Sequence, residues 1–192
     1  SNFSKLLELD PWMIEPEFRN CGEINFKTKQ GEDCLVYHAE KLFNIISEKY
    51  HTYNIDEKPY IIIKADSGTY GMGVISIDSI DQIKNLNRKQ RNKMLSLKGN
   101  IVPDRVILQE GVYSFEEIKN SNSVAEPVIY SFSNYLIGGF YRAHESKANN
   151  ENLNSPGMIF HPIPLSDICV SPDMNTPVDS QINRYYVYRW GC

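Results

Sequence analysis

The order of hydrophobic and polar positions along the chain predicts a mixture of helices and strands. Over residues 32–50, apolar side chains recur at helical spacing for about five turns. A second helix is predicted from about Ile80, with Asp78 or Ser79 as its cap. Short apolar runs rich in β-branched and aromatic residues predict strands at 23–27, 60–64, 74–77, 105–109, 124–132 and 135–143. This order is typical of an α+β fold with a largely antiparallel sheet.

The segment between the second and third of these strands has unusual chemistry. Residues 61–74 read IIIKADSGTYGMGV, so that a strand ends at Lys64 and leads into a glycine-rich loop. Glycine lets backbone N–H groups approach an anion, and the lysine supplies a charge for it. The loop residues in question are Ser67, Gly68, Thr69, Gly71 and Gly73. A phosphate-binding loop and a plain hairpin turn explain this segment equally well.

The spacing of the glycines excludes several nucleotide-binding classes. The P-loop pattern Gly-x-x-x-x-Gly-Lys-Ser/Thr does not occur, and the loop leads into a second strand instead of the helix that a Rossmann fingerprint requires. The His-Arg-Asp and Asp-Phe-Gly motifs of protein kinases do not occur either. What remains is a lysine that precedes a glycine-rich hairpin, which is the arrangement of ATP-grasp enzymes.

Composition limits the remaining classes. With 192 residues, of which 41% are hydrophobic, the chain can form one substantial core or two small lobes that share a cleft. A net charge of -4 argues against a general nucleic-acid binder. No apolar run approaches the roughly 20 residues that span a bilayer, and the amino terminus does not resemble a signal peptide. We therefore expect a soluble, cytoplasmic protein.

The cysteines give little indication of a site. The chain has four of them, Cys21, Cys34, Cys169 and Cys192, without CxxC spacing. No histidine accompanies them at the spacing of a metal-ligand motif. The sequence therefore predicts neither a zinc site nor a disulfide framework, and the thiols are expected to be reduced.

A second candidate for nucleotide contact is the strand end at VILQEGV, residues 106–112. Backbone N–H and C=O groups at Gln109, Glu110, Gly111 and Val112 could pair with an adenine edge, with the valine beside the ring. An ordinary strand followed by a turn is the better interpretation of this segment by itself. Glu126, at the start of a later strand, could accept hydrogen bonds from ribose or be a surface charge.

The third candidate is a polar loop after the last long strand. Arg142 lies near the end of that strand, and Glu151, Asn152 and Asn154 follow. Mg²⁺ prefers oxygen ligands from one or two protein groups together with nucleotide phosphates, and an arginine nearby would neutralise a phosphoryl group in transfer. The alternative is a polar loop that Ser-Pro-Gly closes.

Six ordered segments carry a resemblance to a known family. FRNCGEINFKTKQGEDC, IIIKADSGTYGMGV, LQEGV, AEPVIYS, GGFYRAH and ENLNSPGM resemble the proteobacterial type of glutamate-cysteine ligase that is built on the ATP-grasp fold. The resemblance extends from about Trp12 to Tyr188. It implies two small lobes with largely antiparallel sheets and a nucleotide cleft between them. The corresponding division is an irregular segment 1–30, a lobe 31–104 with the hairpin, and a lobe 105–192 with the adenine hinge and metal loop.

The resemblance also implies a reaction. ATP would phosphorylate the γ-carboxylate of glutamate, and the amine of cysteine would displace phosphate from the acyl phosphate, which is the first step of glutathione biosynthesis. Lys64 would hold the α- and β-phosphates, the hairpin would close over the triphosphate, and Arg142 would stabilise the transferring phosphoryl group. The hinge from Gln109 to Val112 would hold adenine, and Glu126 the ribose. Glu151 with Asn152 or Asn154 would bind Mg²⁺. The expected partners are these small molecules, without nucleic acid or membrane.

Two departures from the family pattern limit what the resemblance implies. Many ATP-grasp enzymes have a metal-binding aspartate where this chain has His144, so either Glu126 or Glu145 replaces it or the histidine has another role. An amino-terminal part that should help to bind the amino acids is also expected but missing, which suggests a fragment or a short relative that would self-associate. Two alternatives to the ligase stay open: a nucleotide-binding remnant without catalysis, and an ATP-grasp ligase with another acceptor.

Overall fold

The computed structural model describes residues 2–6, 8–67, 72–95, 103–118, 121–133, 135–163, 175 and 177. The chain divides into two compact units, Ser1–Val112 and Tyr113–Cys192. The predicted boundary after residue 104 is wrong, because the strand Val106–Glu110 is hydrogen-bonded between two strands of the first unit. The described helices include none that is long and apolar enough to cross a membrane.

The described part of the first unit contains a four-stranded sheet and four α-helices. The strands are β1 (Phe18–Cys21), β2 (Ile61–Ala65), β3 (Val74–Ile77) and β4 (Val106–Glu110), in the order β1-β4-β2-β3 and antiparallel throughout. The helices are α1 (Asn2–Leu6), α2 (Glu32–Thr52), α3 (Ile80–Lys84) and α4 (Arg88–Leu95), and a 3₁₀ turn covers Pro11–Met13. The α+β class and the antiparallel pairing are thus confirmed.

One face of this sheet forms the core of the first unit. Buried and half-buried positions alternate along β2 and β4, as a half-buried strand requires. The buried positions pack against the apolar face of α2 and contribute to one cluster together with residues of α3 and α4; its fully buried large members include Leu42, Ile46, Ile61, Ile63, Met94 and Leu108. The opposite face of the sheet carries Ile62, Lys64, Ile107 and Gln109.

The second unit is built on another four-stranded antiparallel sheet. Its strands follow chain order: β5 (Glu116–Ile118), β6 (Ser123–Phe132), β7 (Tyr135–His144) and β8 (Ile159–Pro162). A small buried cluster of Ala125, Tyr141, Ala143 and Ile163 covers one face, with Ile118 and Ile129 packed against it. Glu126 and Arg142 lie on the other face, because neighbouring positions along a strand alternate.

The amino-terminal prediction needs one correction. The first strand is Phe18–Cys21 and not 23–27, so the segment 1–30 is not irregular but contributes an edge strand to the first sheet. Asn25 interrupts the predicted strand, since its Oδ1 accepts the N–H groups of Lys27 (2.9 Å) and Thr28 (3.2 Å) and thereby forms a turn. The strands β5 and β8 were not predicted, because each is short and the burial along β8 does not alternate clearly.

Candidate functional site

Lys64 lies on the sheet face of the first unit that does not pack against the helices. It occupies β2 opposite Ile107 of β4, two positions along the ladder from the pair of Ile62 and Gln109. This diagonal relationship brings the two long side chains together, and the Lys64 Nζ donates a hydrogen bond to the Gln109 Oε1. Within the described residues, no ion pair with Lys64 is found. The half-buried ammonium group therefore has a neutral amide as its partner.

The glycine-rich segment after Lys64 is a hairpin, as the sequence predicts. β2 and β3 are antiparallel, and the N–H of Ala65 donates to the carbonyl of Gly73 (2.8 Å) at the base of the loop. Gly73 is buried there, and Ser67 is exposed. Gly68, Thr69 and Gly71 lie outside the described residues. The hairpin is confirmed as a structure, and its contact with phosphate stays a prediction.

The second residue of the predicted hinge, Glu110, has a carboxylate with a structural role. Glu110 is buried, and its Oε1 and Oε2 accept hydrogen bonds from the Trp12 indole Nε1 at 3.0 and 2.8 Å. Its Oε2 also accepts the Glu17 N–H (3.0 Å), while the Glu110 N–H donates to the Glu17 carbonyl (2.8 Å). Burial raises the pKa of the Glu110 carboxyl, although these hydrogen bonds oppose the shift. The side chain thus anchors the amino-terminal segment on β4.

The backbone of the hinge packs tightly on Tyr60. A Cβ added to Gly111 would lie 2.1 Å from the Tyr60 ring, so only glycine fits this position without a rearrangement. The Gly111 N–H donates to the Tyr60 carbonyl (2.9 Å), and the Tyr60 hydroxyl donates to the Val112 carbonyl (2.8 Å). The Val112 side chain is exposed. The hinge is consequently a fixed backbone segment with an apolar side chain at its open end.

Glu126 and Arg142 form a pair across the second sheet. They lie opposite each other on β6 and β7, and the Arg142 Nη1 donates to the Glu126 Oε1 at 2.7 Å. Sequence reasoning assigned these residues separate roles and did not predict their contact. The Arg142 Nε is buried and has no hydrogen-bond partner within the described part of the chain. A buried N–H without an acceptor is costly, so this donor is suited to an oxygen of a bound ligand.

The predicted metal ligands form a compact polar turn. The Glu151 Oε2 accepts the Ala148 N–H (2.9 Å), and its Oε1 accepts the Lys147 Nζ (3.0 Å). The N–H group, and secondarily the ammonium group, lower the pKa of the Glu151 carboxyl, which favours the ionised form. The Asn152 Oδ1 accepts the Asn154 N–H (2.9 Å). These oxygen atoms are brought together in one loop, but the protein itself already uses three of them.

His144 connects the end of β7 to the same loop. It is buried, with the Nε2 3.1 Å from the Pro156 carbonyl and the Nδ1 3.3 Å from the Ser146 N–H. A carbonyl only accepts and an N–H only donates, so the geometry assigns the neutral tautomer with the proton on Nε2. At Gly157, where φ is +98°, an added Cβ would lie 3.2 Å from the same Nε2. These contacts are structural, so they favour the alternative that the histidine has another role than metal binding.

Sequence reasoning missed a cluster of three potential metal ligands in the first unit. The Cys21 Sγ, the Cys34 Sγ and a ring nitrogen of His38 lie within 4.8 Å of one another. The expectation that no histidine accompanies the cysteines is therefore wrong. The spacing of Cys34 and His38, four residues apart in a predicted helix, was the available signal, because such residues share a helix face. Cys21 joins them only through the packing of β1.

Comparisons with known proteins agree with one another. A family model described as glutamate-cysteine ligase matches residues 1–191. A solved structure of a "Putative gamma-glutamylcysteine synthetase" from Methylobacillus flagellatus KT is similar to this chain, with 42% sequence identity and a TM-score of 0.82. The match covers 98% of this chain and 44% of that chain, so this chain spans less than half of the length of its relative. Among the curated proteins, none matches.

Proposed function

The chain belongs to the glutamate-cysteine ligase family, and we propose that it is the ATP-binding part of a ligase of the ATP-grasp type. The complete enzyme would join the γ-carboxylate of L-glutamate to the amine of L-cysteine. The chain corresponds to 44% of the length of its solved relative, so the amino-acid sites of the complete enzyme need not all lie within it.

The state of Lys64 is the observation on which the proposal depends. Its ammonium group is half-buried on the open sheet face and bonded to the neutral Gln109 amide, without an ion pair among the described residues. Removing a cation from water is costly unless an opposite charge compensates for it. A polyanion such as a triphosphate would supply that charge. Lys64 also directly precedes the hairpin at 66–73, whose backbone would cover the phosphates.

The predicted adenine contact lies where β4 ends, at Glu110. The Glu110 N–H is bonded to the Glu17 carbonyl and the Gly111 N–H to the Tyr60 carbonyl, and the Val112 carbonyl accepts the Tyr60 hydroxyl. We assign the adenine edge to other backbone N–H and C=O groups of the hinge from Gln109 to Val112, and the flank of the ring to the exposed Val112 side chain.

In the second unit, the Arg142 side chain is suited to bind the phosphoryl group that is transferred. Its Nη1 is fixed by Glu126, so the planar guanidinium group has a defined orientation, and its Nε N–H is the donor that lacks an acceptor. Glu126 keeps a second carboxylate oxygen that a ribose hydroxyl could approach. The pair would then orient both the sugar and the transferring group.

The loop around Glu151 fits Mg²⁺ by the chemistry of its donors. Carboxylate and amide oxygens are ligands that Mg²⁺ prefers, and the Glu151 carboxylate is held ionised. Binding of Mg²⁺ would require the Lys147 ammonium group to leave the Glu151 Oε1, because the ion and the ammonium group would compete for the same oxygen atom. Glu151 would then bind the ion together with Asn152 or Asn154. When bound, Mg²⁺ supplies charge neutralisation at the phosphate oxygens.

The residues act by position and charge, and none of them needs to be a nucleophile. Lys64 would hold the phosphates while the γ-carboxylate of glutamate attacks the terminal phosphorus atom, with ADP as the leaving group. The Arg142 guanidinium group would stabilise the charge that develops on the transferring oxygens. The cysteine amine then attacks the acyl carbon, and phosphate leaves. Closure of the hairpin would exclude water, which otherwise hydrolyses the acyl phosphate.

The nucleotide part of this proposal is tested on the chain itself. Isothermal titration of the chain with Mg-ATP should show binding that Lys64→Ala weakens by about 10- to 100-fold, the cost of one charge-assisted contact. Lys89→Ala is the matched control, since Lys89 is an exposed lysine of α4. Equal affinity in both variants would show that Lys64 only supports the sheet. A folded chain that produces no heat with Mg-ATP would contradict nucleotide binding altogether.

The substrates are tested by phosphate release from the complete natural protein. Release that requires both glutamate and cysteine is the result expected of a glutamate-cysteine ligase. Release that requires glutamate and a different amine would instead indicate another ligase on the same nucleotide scaffold. Binding of Mg-ATP without any release would identify a non-catalytic nucleotide-binding protein.

A further inference from the structure

The cluster of Cys21, Cys34 and His38 lies where the edge strand β1 meets the first two turns of α2. Cys21 is the last residue of β1 and is buried. Cys34 and His38 follow on successive turns of α2 and are half-buried. The Cys34 Sγ lies 3.0 Å from the Cys21 Sγ and donates a hydrogen bond to it. All three side chains belong to the first unit, and none of them is assigned a part in the proposed ligase reaction.

The histidine in this cluster has one ring nitrogen that the described residues leave without a partner. The Nδ1 of His38 is buried, and the described residues provide no hydrogen-bond partner for it. A buried imidazole nitrogen without a partner carries a desolvation cost of about 1–3 kcal/mol, which a ligand atom would remove. Two sulfur atoms and an imidazole nitrogen therefore converge on one place, and the Nδ1 of the same imidazole is buried without a partner among the described residues.

We propose that Cys21, Cys34 and His38 form a binding site for a thiolate-preferring metal cation of the Zn²⁺ class. Two thiolates and one imidazole make a three-ligand set that Zn²⁺ accepts, with a fourth position open to solvent or to an external ligand. Carboxylate-preferring ions such as Mg²⁺ and Ca²⁺ would not bind to this set. The site is therefore chemically distinct from the oxygen-rich loop around Glu151.

The present geometry is close to what such an ion requires. Two Zn–S bonds of about 2.3 Å at a tetrahedral angle separate the sulfur atoms by roughly 3.8 Å. The sulfur atoms must move apart by less than about 1 Å from their present 3.0 Å. Cys34 and His38 share one face of α2, so this motion needs rotation of side chains and no change of fold. On binding, the two S–H protons pass to solvent, and two S–Zn bonds and one N–Zn bond form.

A redox role fits the same atoms less well. A disulfide would use only the two sulfur atoms, whereas a metal site uses all three of the groups that lie within 4.8 Å of one another. A disulfide would also give His38 no part, although its Nδ1 is buried without a partner among the described residues.

The direct test is titration of the reduced, metal-free chain with Zn²⁺ alone. A competing chelator should report one tightly bound equivalent with a dissociation constant below about 1 μM. Co²⁺ in place of Zn²⁺ should give the charge-transfer absorption of thiolate ligands. Bound Zn²⁺ should also protect two of the four thiols of the chain from a thiol-modifying reagent.

Variants identify the ligands. His38→Gln and Cys34→Ser change half-buried positions, so they should fold, and each should weaken Zn²⁺ binding by more than about 100-fold, the upper end of the effect of an outer-shell change. His51→Gln is the matched histidine control, because His51 lies on the same helix but is exposed. Circular dichroism establishes that the variants keep their fold. Cys21→Ser changes a buried position, so its Zn²⁺ affinity is interpreted only if circular dichroism shows that this variant is folded.

Three results would overturn the proposal. The first is Zn²⁺ affinity that stays unchanged in both His38→Gln and Cys34→Ser, which would indicate binding elsewhere. The second is a reduced, folded chain that binds no Zn²⁺ in the micromolar range. The third is peptide mapping that finds a Cys21–Cys34 disulfide in a chain whose reduced form does not bind Zn²⁺, which would identify a redox pair. Because the readouts do not involve ATP, they are independent of the proposed ligase function.

Discussion

The two units of the chain are stabilised in different ways. In the first, the sheet packs one face against α2 and also against α3 and α4, and a continuous apolar cluster results. In the second, the buried cluster that the described residues form consists of four residues on one face of a long hairpin. Polar contacts supplement it: the Glu126–Arg142 pair, the bonds of His144 and the turn around Glu151. Large apolar side chains of the second unit stay exposed, among them Phe132, Tyr135, Ile137 and Phe160.

This difference bears on the candidate chemistry of each unit. Lys64 is presented by a strand whose other face is locked into a core, so its position does not depend on a ligand. Arg142 is oriented mainly by one carboxylate, and the Glu151 oxygens by a lysine and a backbone N–H. We therefore expect substitutions in the apolar cluster of the first unit to act chiefly on stability, and polar substitutions in the second unit to act on ligand binding as much as on stability.

The largest effect is expected in the apolar core of the first unit. Leu42→Ala removes a fully buried side chain of α2 and should lower the free energy of unfolding by about 2–5 kcal/mol, because a cavity remains. Urea unfolding followed by circular dichroism measures this. Leu6→Ala, at a leucine that is 79% exposed, should change the same quantity by less than about 0.5 kcal/mol. Equal effects would refute the core assignment.

A smaller effect is expected at His144 in the second unit. His144→Phe keeps the ring but leaves the Pro156 carbonyl and the Ser146 N–H without their partner, at a cost of about 1–3 kcal/mol. The control is His51→Phe, at an exposed histidine. Thermal unfolding compares the two variants. If His144→Phe were as stable as its control, the loop would not depend on this residue, and the contrast between the units would weaken.

Substitution of Glu126 in its pair with Arg142 should affect Mg-ATP binding more than the free energy of unfolding. Both side chains keep some solvent contact, 21% for Arg142 and 37% for Glu126, so Glu126→Gln should change the free energy of unfolding by less than about 1 kcal/mol. If Glu126 also holds the ribose, the same variant should weaken Mg-ATP binding about tenfold in titration calorimetry. Glu117→Gln, at an exposed position of β5, should leave both quantities unchanged. Unaltered ATP affinity in Glu126→Gln would restrict Glu126 to pairing with Arg142.

The smallest effect concerns a polar contact in the first unit whose stabilisation is lost at acid pH. Asp10 accepts hydrogen bonds from the Lys49 Nζ (2.5 Å), the Tyr53 hydroxyl (2.9 Å) and the Trp12 N–H (3.0 Å). These contacts, that of Lys49 foremost, lower the pKa of its carboxyl from 3.8 to about 2. Because the native state binds this proton less readily, the stabilisation is present above pH 3.8 and is lost as pH falls through about 2.

Asp10→Asn should therefore flatten the dependence of the unfolding free energy on pH in this window. Urea unfolding at several pH values between about 5 and 2 gives the slope for each protein. Asp56→Asn, at an exposed aspartate, serves as the control. A slope that is the same in Asp10→Asn and in the natural sequence would mean that the contacts of Asp10 do not persist in solution.

Periodicity in the sequence predicted the long elements well. The helix α2 and the hairpins β2–β3 and β6–β7 occur within one or two residues of their predicted bounds. The strands that were predicted wrongly or not predicted have local physical causes. Asn25 forms a turn where a strand was predicted, and β5 is too short for an alternating pattern to be visible. Segment order likewise indicated the ligase family, which the family model supports over residues 1–191.

The candidate site was predictable only in part, because residue identity does not specify partners. Gly-rich composition after Lys64 indicated the hairpin, but nothing in the sequence indicated that Gln109 would meet Lys64, or that Glu126 would meet Arg142. Both contacts depend on strand register, which is set by the packing of whole faces. The same holds for Glu110, whose backbone is predicted at an adenine hinge and whose side chain meets Trp12.

By itself, the sequence determined the α+β class, the main elements and the family, since these follow from periodicity and from the order of motifs along the chain. The tertiary structure alone decided which groups meet and which lack a partner. It brought Cys21 of β1 to Cys34 and His38 of α2, and it left the Nδ1 of His38 and the Nε of Arg142 buried without acceptors or donors among the described residues. The physical reason is that burial and hydrogen bonding are properties of contacts between distant segments, which only the packing of strands and helices creates.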